Sequence, residues 1–315
     1  MTTETAVRRR LFIFFSALCC FGFMHVNSYS PSAQLKPFID NYMFVDIAWQ
    51  EFNQISPLWR LIPFGQVSAL FIYGDKHQFS TIGARTGMQT TLDTFLVGQL
   101  TRPLWLKFSG HTRLAKVQFK TGGIQQFMAA PLADFTDQAS IGLENIWSAD
   151  PQLVNEKLYE AENDSARCKI LNSFFEKRLL PVDNQASYVE YTLKQLLHTG
   201  GNLKVSDLER PLGISARQLE RVFRSRVGIS PKDIGKFMRL NTALHALENN
   251  PGQQLSLLGY ELGYFDPAHF SKDFKQFTGI SPSAIRSGSP GEYLVAAGKC
   301  FKMPACRIFT KTSAA

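Results

Sequence analysis

Arg217, Glu220, Arg221 and Arg224 recur at spacings of three and four. On a helix, that spacing gathers them into one stripe. Such a stripe can read duplex DNA, because arginine pairs two donors with guanine O6 and N7 while glutamate accepts from cytosine N4. A second stripe follows later in the chain, with Ala268, His269, Lys272 and Lys275 beside Pro267. It offers apolar contact to thymine methyls and one or two hydrogen bonds. Either stripe alone is also what a solvated helix face looks like, and His269 can equally serve as a capping or packing residue. Nothing beside His269 supports catalysis: no base, nucleophile or orienting acid accompanies it.

The elements that must position these stripes are written twice. One copy reads VSDLERPLGISARQLERVFRSRVGISP and the other LSLLGYELGYFDPAHFSKDFKQFTGISP. Each has a short apolar-patterned segment, a glycine (Gly213, Gly263) and a residue able to cap a helix (Ser215, Asp266). An amphipathic helix follows in each, with Leu219 and Phe223, or Phe270 and Phe274, facing inward. Pro267 suits the first helical position, where its missing N–H costs nothing. Short helix, glycine turn and second capped helix make a helix-turn-helix. Between the copies runs SPKDIGKFMRLNTALHALENNPG, with Ile234, Phe237, Met238, Leu240, Leu244 and Leu247 around much of one helix. A helix this apolar is a buried spacer. Two reading helices held about 34 Å apart meet successive turns of one DNA face.

Residues 185–286 resemble the DNA-binding domain of AraC/XylS-type bacterial transcription regulators. The resemblance rests on Ser215, Leu219, Phe223, Gly228, Ser230-Pro231, Arg239, Ala243, Leu247, Gly263-Tyr264, Phe270, Phe274-Lys275, Gly279 and Ser281-Pro282. It implies base contacts from Arg217, Glu220 and Arg221 in the first unit and from Ala268, His269 and Lys272 in the second. Two positions depart from the family pattern. Glu209 stands after Leu208 where the family has alanine, and Pro211 falls inside the opening helix of the first unit. Proline in a helix interior costs ~3 kcal/mol, so a distorted first unit is expected.

Charge agrees with a phosphate-facing C-terminal half. Residues 31–183 carry 14 basic and 15 acidic side chains, whereas residues 184–286 carry 13 and 9. The front half reads as strands and turns, with candidate strands at Leu58–Ile62, Val67–Tyr73, Thr94–Val97 and Leu114–Phe119. Ile124, Phe127 and Met128 then mark a buried helical face, and Leu153 to Leu180 reads as two helices with Leu171, Phe174, Phe175 and Leu179 inside. Pro181 to Asn184 is the expected linker. The segments LIPFGQVSALFIYGD, FLVGQLTRP, VQFKTGGIQQFMAAPLADFTDQ and GLENIW resemble a sensor-type domain found on some AraC-type regulators, a small β-barrel followed by helices. Phe64, Phe71, Tyr73 and Trp105 could line a ligand cavity or be plain core.

The expected fold class is therefore α+β. Residues 31–180 form a small β-barrel-like sensor and dimerisation domain with helices. Residues 185–286 form an all-α domain of two helix-turn-helix units joined by a long helix. Residues 1–30 are an apolar extension and residues 287–315 a flexible tail. The stretch RRRLFIFFSALCCFGFM resembles a secretory signal but is too short for an ordinary membrane span of about 20 residues. Initiation at Met24, or a tolerated apolar extension, reconciles it with a DNA-reading C-terminus. The five cysteines lack metal-ligand or disulfide-scaffold spacing, and His77 and His111 are isolated. They are read as reduced thiols in a cytoplasmic protein with no metal and no cofactor. The expected function is a non-enzymatic, sequence-specific transcription regulator of promoter DNA. Its possible further partners are a small-molecule effector, RNA polymerase and a second copy. The alternatives are a membrane-anchored regulator and an alkyl-transfer repair protein, for which Cys168 between Arg167 and Lys169 would be the nucleophile.

Overall fold

The computed structural model describes residues 24–51, 58–63, 65–80, 87–181, 184–250, 252–287, 293–296 and 299–301. The apolar stretch before Met24, Phe64 and the chain after 301 lie outside the described residues. Two six-stranded sheets form the N-terminal half. The first joins β1 (Met24–Tyr29), β2 (Ile39–Ala48), β9 (His111–Phe119), β4 (Ser68–Ile72), β7 (Thr94–Val97) and β10 (Ile141–Gly142), in that order. The second runs β12 (Lys299–Phe301), β11 (Tyr293–Ala296), β3 (Leu58–Leu61), β8 (Leu104–Lys107), β5 (Gln78–Phe79) and β6 (Gln89–Thr90).

One face of the first sheet presents Phe44, Ala69, Phe71, Leu96, Ala115 and Val117 to the helices that follow. Those helices are α1 (Glu144–Trp147), α2 (Asp150–Glu160) and α3 (Asp164–Glu176). Their inward residues Trp147, Leu158, Leu171, Phe174 and Phe175 complete that core. Aromatic rings dominate it: Phe174 and Phe175 meet edge to face at 5.0 Å, and each contacts Trp147. The other face carries Ile72, Phe95 and Leu114 in a separate small cluster.

Two boundaries differ from the sequence reading. β1 pairs in antiparallel register with β2 from Met24↔Ile47 to Tyr29↔Tyr42, so residues 24–29 belong to the sheet and not to an extension. After Arg286, where no sustained period is visible, β11 nevertheless pairs in parallel with β3 through Tyr293↔Trp59, Leu294↔Arg60 and Val295↔Leu61. Sheet edges recruit strands through backbone groups, which leave little trace in side-chain pattern.

The C-terminal half is helical: α4 (Asn184–His198), α5 (Glu209–Leu212), α6 (Ala216–Val227), α7 (Pro231–Asn249), α8 (Leu255–Glu261), α9 (Pro267–Thr278) and α10 (Pro282–Ser287). One core serves both units, built from Leu219, Phe223, Phe237, Leu240, Leu244, Phe270 and Phe274 among others. The spacer α7 supplies Ile234, Phe237, Leu240, Ala243, Leu244 and Leu247 to it. The repeated phrase Gly-Ile-Ser-Pro now has a local physical account. Gly228 and Gly279 end α6 and α9 in the left-handed region, at φ 86° and 79°. Ile229 and Ile280 turn inward onto the shared core. Ser230 then caps α7 in a capping box with Asp233, and Ser281 Oγ accepts from Ala284 N–H at the start of α10. Proline follows each serine at the first helical position.

The two halves touch at the carboxyl ends of both capped helices. Thr136 Oγ1 donates to the Gly228 carbonyl at 2.9 Å. A Cβ on Gly228 would sit 3.0 Å from Gln99 Cβ and 3.0 Å from Thr136 Oγ1, so a side chain here would crowd its neighbours in addition to straining the backbone at this φ. At the other helix, Arg60 of β3 donates from Nη1 to the Thr278 carbonyl at 3.1 Å. Arg60 is buried, with its guanidinium 4.1 Å from the Trp105 ring centroid. Ile62, from the strand side, is itself part of the helical core. Truncating Arg60 strands a buried carbonyl and removes a charge-assisted hydrogen bond worth about 1.5–3 kcal/mol. Arg60→Ala is therefore expected to lower the unfolding free energy by about 2 kcal/mol in a urea titration. Arg60→Lys should recover only part of this, since an ammonium lacks the planar group that stacks on Trp105.

Candidate nucleic-acid interface

Both second helices are secured at their amino ends, as the sequence suggests. Ser215 Oγ accepts from Gln218 N–H at 3.2 Å, and Asp266 Oδ1 accepts from Ala268 and His269 N–H at 2.7 and 3.1 Å. Leu219, Val222, Phe223 and Val227 of α6 are buried, as are Phe270, Phe274 and Phe277 of α9. The opposite faces are left to solvent. Arg217, Glu220, Arg221 and Arg224 are all exposed along α6, and Ala268, His269, Lys272 and Lys275 along α9. Among the described residues, His269 is the one of these eight for which a side-chain partner is seen. Its Nε2 lies 3.6 Å from Asp273 Oδ2 and its ring stands edge-on to Tyr264 at 5.5 Å. The packing role weighed for this histidine is thus partly realised, while the residue remains open to solvent.

The opening segments of the two units are unequal. The second opens on one continuous helix, α8. The first is split into a 3-10 turn at Val205–Leu208 followed by the single turn α5, which holds Pro211. This is the distortion expected from Pro211. Glu209 plays a different part from the one its departure suggested. Its Oε1 accepts from Ala216 N–H at 2.6 Å, so it joins Ser215 in satisfying the free amides at the start of α6. A carboxylate at a helix amino end also meets the positive end of the helix dipole.

Asp273 is the other residue that sequence reasoning missed. Three residues from Phe270, it shares that helix's inward face and is buried. Lys236 Nζ of α7 meets its Oδ1 at 2.8 Å, and Tyr264 Oη donates to its Oδ2 at 3.5 Å. Burial pushes the Tyr264 phenol up to about 12. Arg239 lies over the Tyr264 ring at 5.3 Å and donates to the Gly201 carbonyl at 2.6 Å. Spacer, turn and reading helix are thereby joined by polar contacts beneath the apolar core.

The remaining sequence candidates scatter. Phe71 packs edge-on against Phe174, and Trp105 is the platform for Arg60. Tyr73 borders a shallow cleft with Asn155, Glu156, Tyr159 and Glu160. Phe71 and Tyr73 share the aromatic core under the helices, whereas Trp105 stands apart against Arg60. His77 is buried between Phe95 and Phe108, while His111 pairs with Asp46 at 2.6 Å. Among the described residues no group of histidine, cysteine and carboxylate side chains is placed to hold a metal ion. No described helix is long and apolar enough to cross a membrane. Burial, with Asp164 nearby, pushes the Cys168 thiol up to about 11, the wrong direction for a nucleophile.

Residues 208–288 match a helix-turn-helix domain family, and residues 27–140 match a domain family of unknown function. The chain is 27% identical to the Msm operon regulatory protein of Streptococcus mutans, over 42% of this chain and 48% of that protein. It is 28% identical to the arabinose operon regulatory protein of Escherichia coli, over 34% of this chain and 36% of that one. The match thus spans about half or less of these relatives. Among solved structures, ToxT from Vibrio cholerae aligns over 73% of this chain and 96% of its own, at 13% identity and a TM-score of 0.39.

Proposed function

We propose that this chain, whose residues 208–288 match a helix-turn-helix domain family, is a transcription regulator of the AraC type that reads double-stranded promoter DNA with two helices at once. The observation that carries the reading is the pair of capped helices on one core, each with an exposed stripe able to reach base edges. Arg217, Glu220, Arg221 and Arg224 contact DNA from α6, and Ala268, His269, Lys272 and Lys275 from α9. Five exposed cations on these faces, Arg217, Arg221, Arg224, Lys272 and Lys275, suit phosphate attraction as well as base readout. The protein works in the cytoplasm, without catalysis and without a cofactor.

In this reading residues 185–286 are the DNA-binding domain and the preceding β-rich half is a sensor. The contacts of Thr136 and Arg60 with the ends of α6 and α9 favour a direct mechanical connection between them. A small molecule, or a second copy of the chain, acting on the sensor would shift the placement of the two reading helices. RNA polymerase is the natural partner once promoter DNA is bound.

A selection of genomic fragments on the purified protein tests this. Binding is expected to be sequence-specific and to weaken steeply with salt, as phosphate contacts release counterions. Absence of any sequence preference would refute the regulator reading. On the selected site, Arg221→Ala and Lys272→Ala should each lose roughly 1–3 kcal/mol if they contact bases. Mobility-shift titrations read this directly, with thermal melting unchanged because both side chains are exposed.

A further inference from the structure

Phe265 is 94% exposed, against 51% for Leu257 and 56% for Tyr260, the other exposed large apolar residues of the second unit. Its neighbours hold it outward. Gly263 turns the chain at φ 79°, and Tyr264 is buried against Phe270 at 5.4 Å. Asp266 is committed to the amides of Ala268 and His269. With inward Tyr264 on one side and the cap on the other, the ring at 265 cannot reach the core unless one anchor is broken. A full benzyl group left in water forgoes the burial that usually places phenylalanine inside. The ring also stands at the amino end of α9, the end from which a reading helix touches base edges. Lys272 and Lys275 on the same helix attract the phosphate backbone that brings such edges near.

Resting on the regulator reading, we propose that Phe265 is a specificity contact of the second unit. Its ring presses on the C5-methyl group of a thymine in the major groove, beside the base pairs met by Ala268 and His269. Phenylalanine is among the side chains suited to that methyl, which is the one apolar feature of the groove edge. The contact adds a thymine preference that the sparse polar chemistry of α9 would not supply.

The test uses the full chain and the DNA fragment returned by the genomic selection, with each thymine replaced singly by uracil. Wild-type protein should lose roughly five- to tenfold in affinity at one position, the lower end of the range for a single base contact. Phe265→Ala should bind the unmodified fragment about tenfold more weakly and be indifferent to uracil at that same position. Phe265→Leu, which keeps an apolar side chain, should retain most of the affinity and some of the uracil sensitivity. Melting curves of both variants should match wild type, because the side chain supports no packing. Undiminished affinity of Phe265→Ala would overturn the proposal, as would a weaker variant that keeps the full uracil effect at every thymine. A wild-type protein with no sequence preference would instead sink the regulator reading, before any variant is made.

Discussion

Phe270→Ala is expected to lower the unfolding free energy by about 3–5 kcal/mol, the usual range for truncating a fully buried phenylalanine. Phe270 has no exposed surface. Its ring meets Tyr264 at 5.4 Å and Phe274 at 5.7 Å, and its Cβ lies 3.3 Å from where a Cβ on Gly259 would be. It is the joint between α8 and α9, so the cavity opens where the second helix-turn-helix is held together. Gly259 leaves no side chain that could swing in to fill the void. The loss should be visible as an earlier midpoint in urea, and DNA affinity should fall with it. Lys272→Ala offers the contrast, since it should weaken binding while leaving the urea midpoint where it was.

Acid is expected to destabilise the protein well above the carboxylate range, through His77. The imidazole is buried between Phe95 and Phe108, and its Nδ1 has no hydrogen-bond partner. Burial pushes it down from the ordinary 6.5 to about 4. Below pH 6.5 the unfolded chain takes up a proton that the folded chain refuses until about pH 4. The unfolded state therefore binds more protons across that window, and stability falls as pH falls. By pH 4 the loss approaches about 3 kcal/mol, of which about 2 kcal/mol has appeared by pH 5. Outside the window this group contributes no slope. Urea titrations between pH 7 and 5 measure it ahead of most carboxylate protonation, and His77→Phe, which keeps a ring among rings, should flatten the profile. An unchanged slope in that variant would place the acid lability elsewhere.

The C-terminal domain was readable because its instructions are local. Ser215, Asp266 and Ser230 cap helices through amides two or three residues away, and Gly228 and Gly279 end them at the adjacent position. The exposed stripes follow from the buried ones at helical spacing. Pro211 correctly marked the broken opening of the first unit. Glu209 was harder, since its carboxylate reaches an amide seven residues on, across a turn. Asp273 was harder still, since Lys236 and Tyr264, which converge on it, come from other segments.

The N-terminal half was less legible for the converse reason. β2 carries Asp40, Asn41 and Asp46 among its apolar residues and shifts register near Asn41, which blurs its alternation. β1 and β11 join sheet edges through backbone pairing. Of the aromatic residues that could be cavity lining or core, Phe71 and Trp105 are buried while Tyr73 borders a cleft, and their partners come from distant segments. The hydrogen bond from Arg60 to Thr278 spans 218 residues, and nothing near either residue announces the other.

That bond and its counterpart at Gly228 make levers of the two capped helices, coupling the β-rich half to their carboxyl ends. Each is 12 residues long and tied to the β-rich half at its carboxyl end, while its capped amino end is the one that meets bases in the proposed function. At 1.5 Å per residue such a lever is about 18 Å long. A pivot of only about 5° at the tied end sweeps the tip through roughly 1.5 Å over that length. Hydrogen bonds tolerate about 0.5 Å of variation in length, so the tip leaves register with a base edge long before the tie itself need let go.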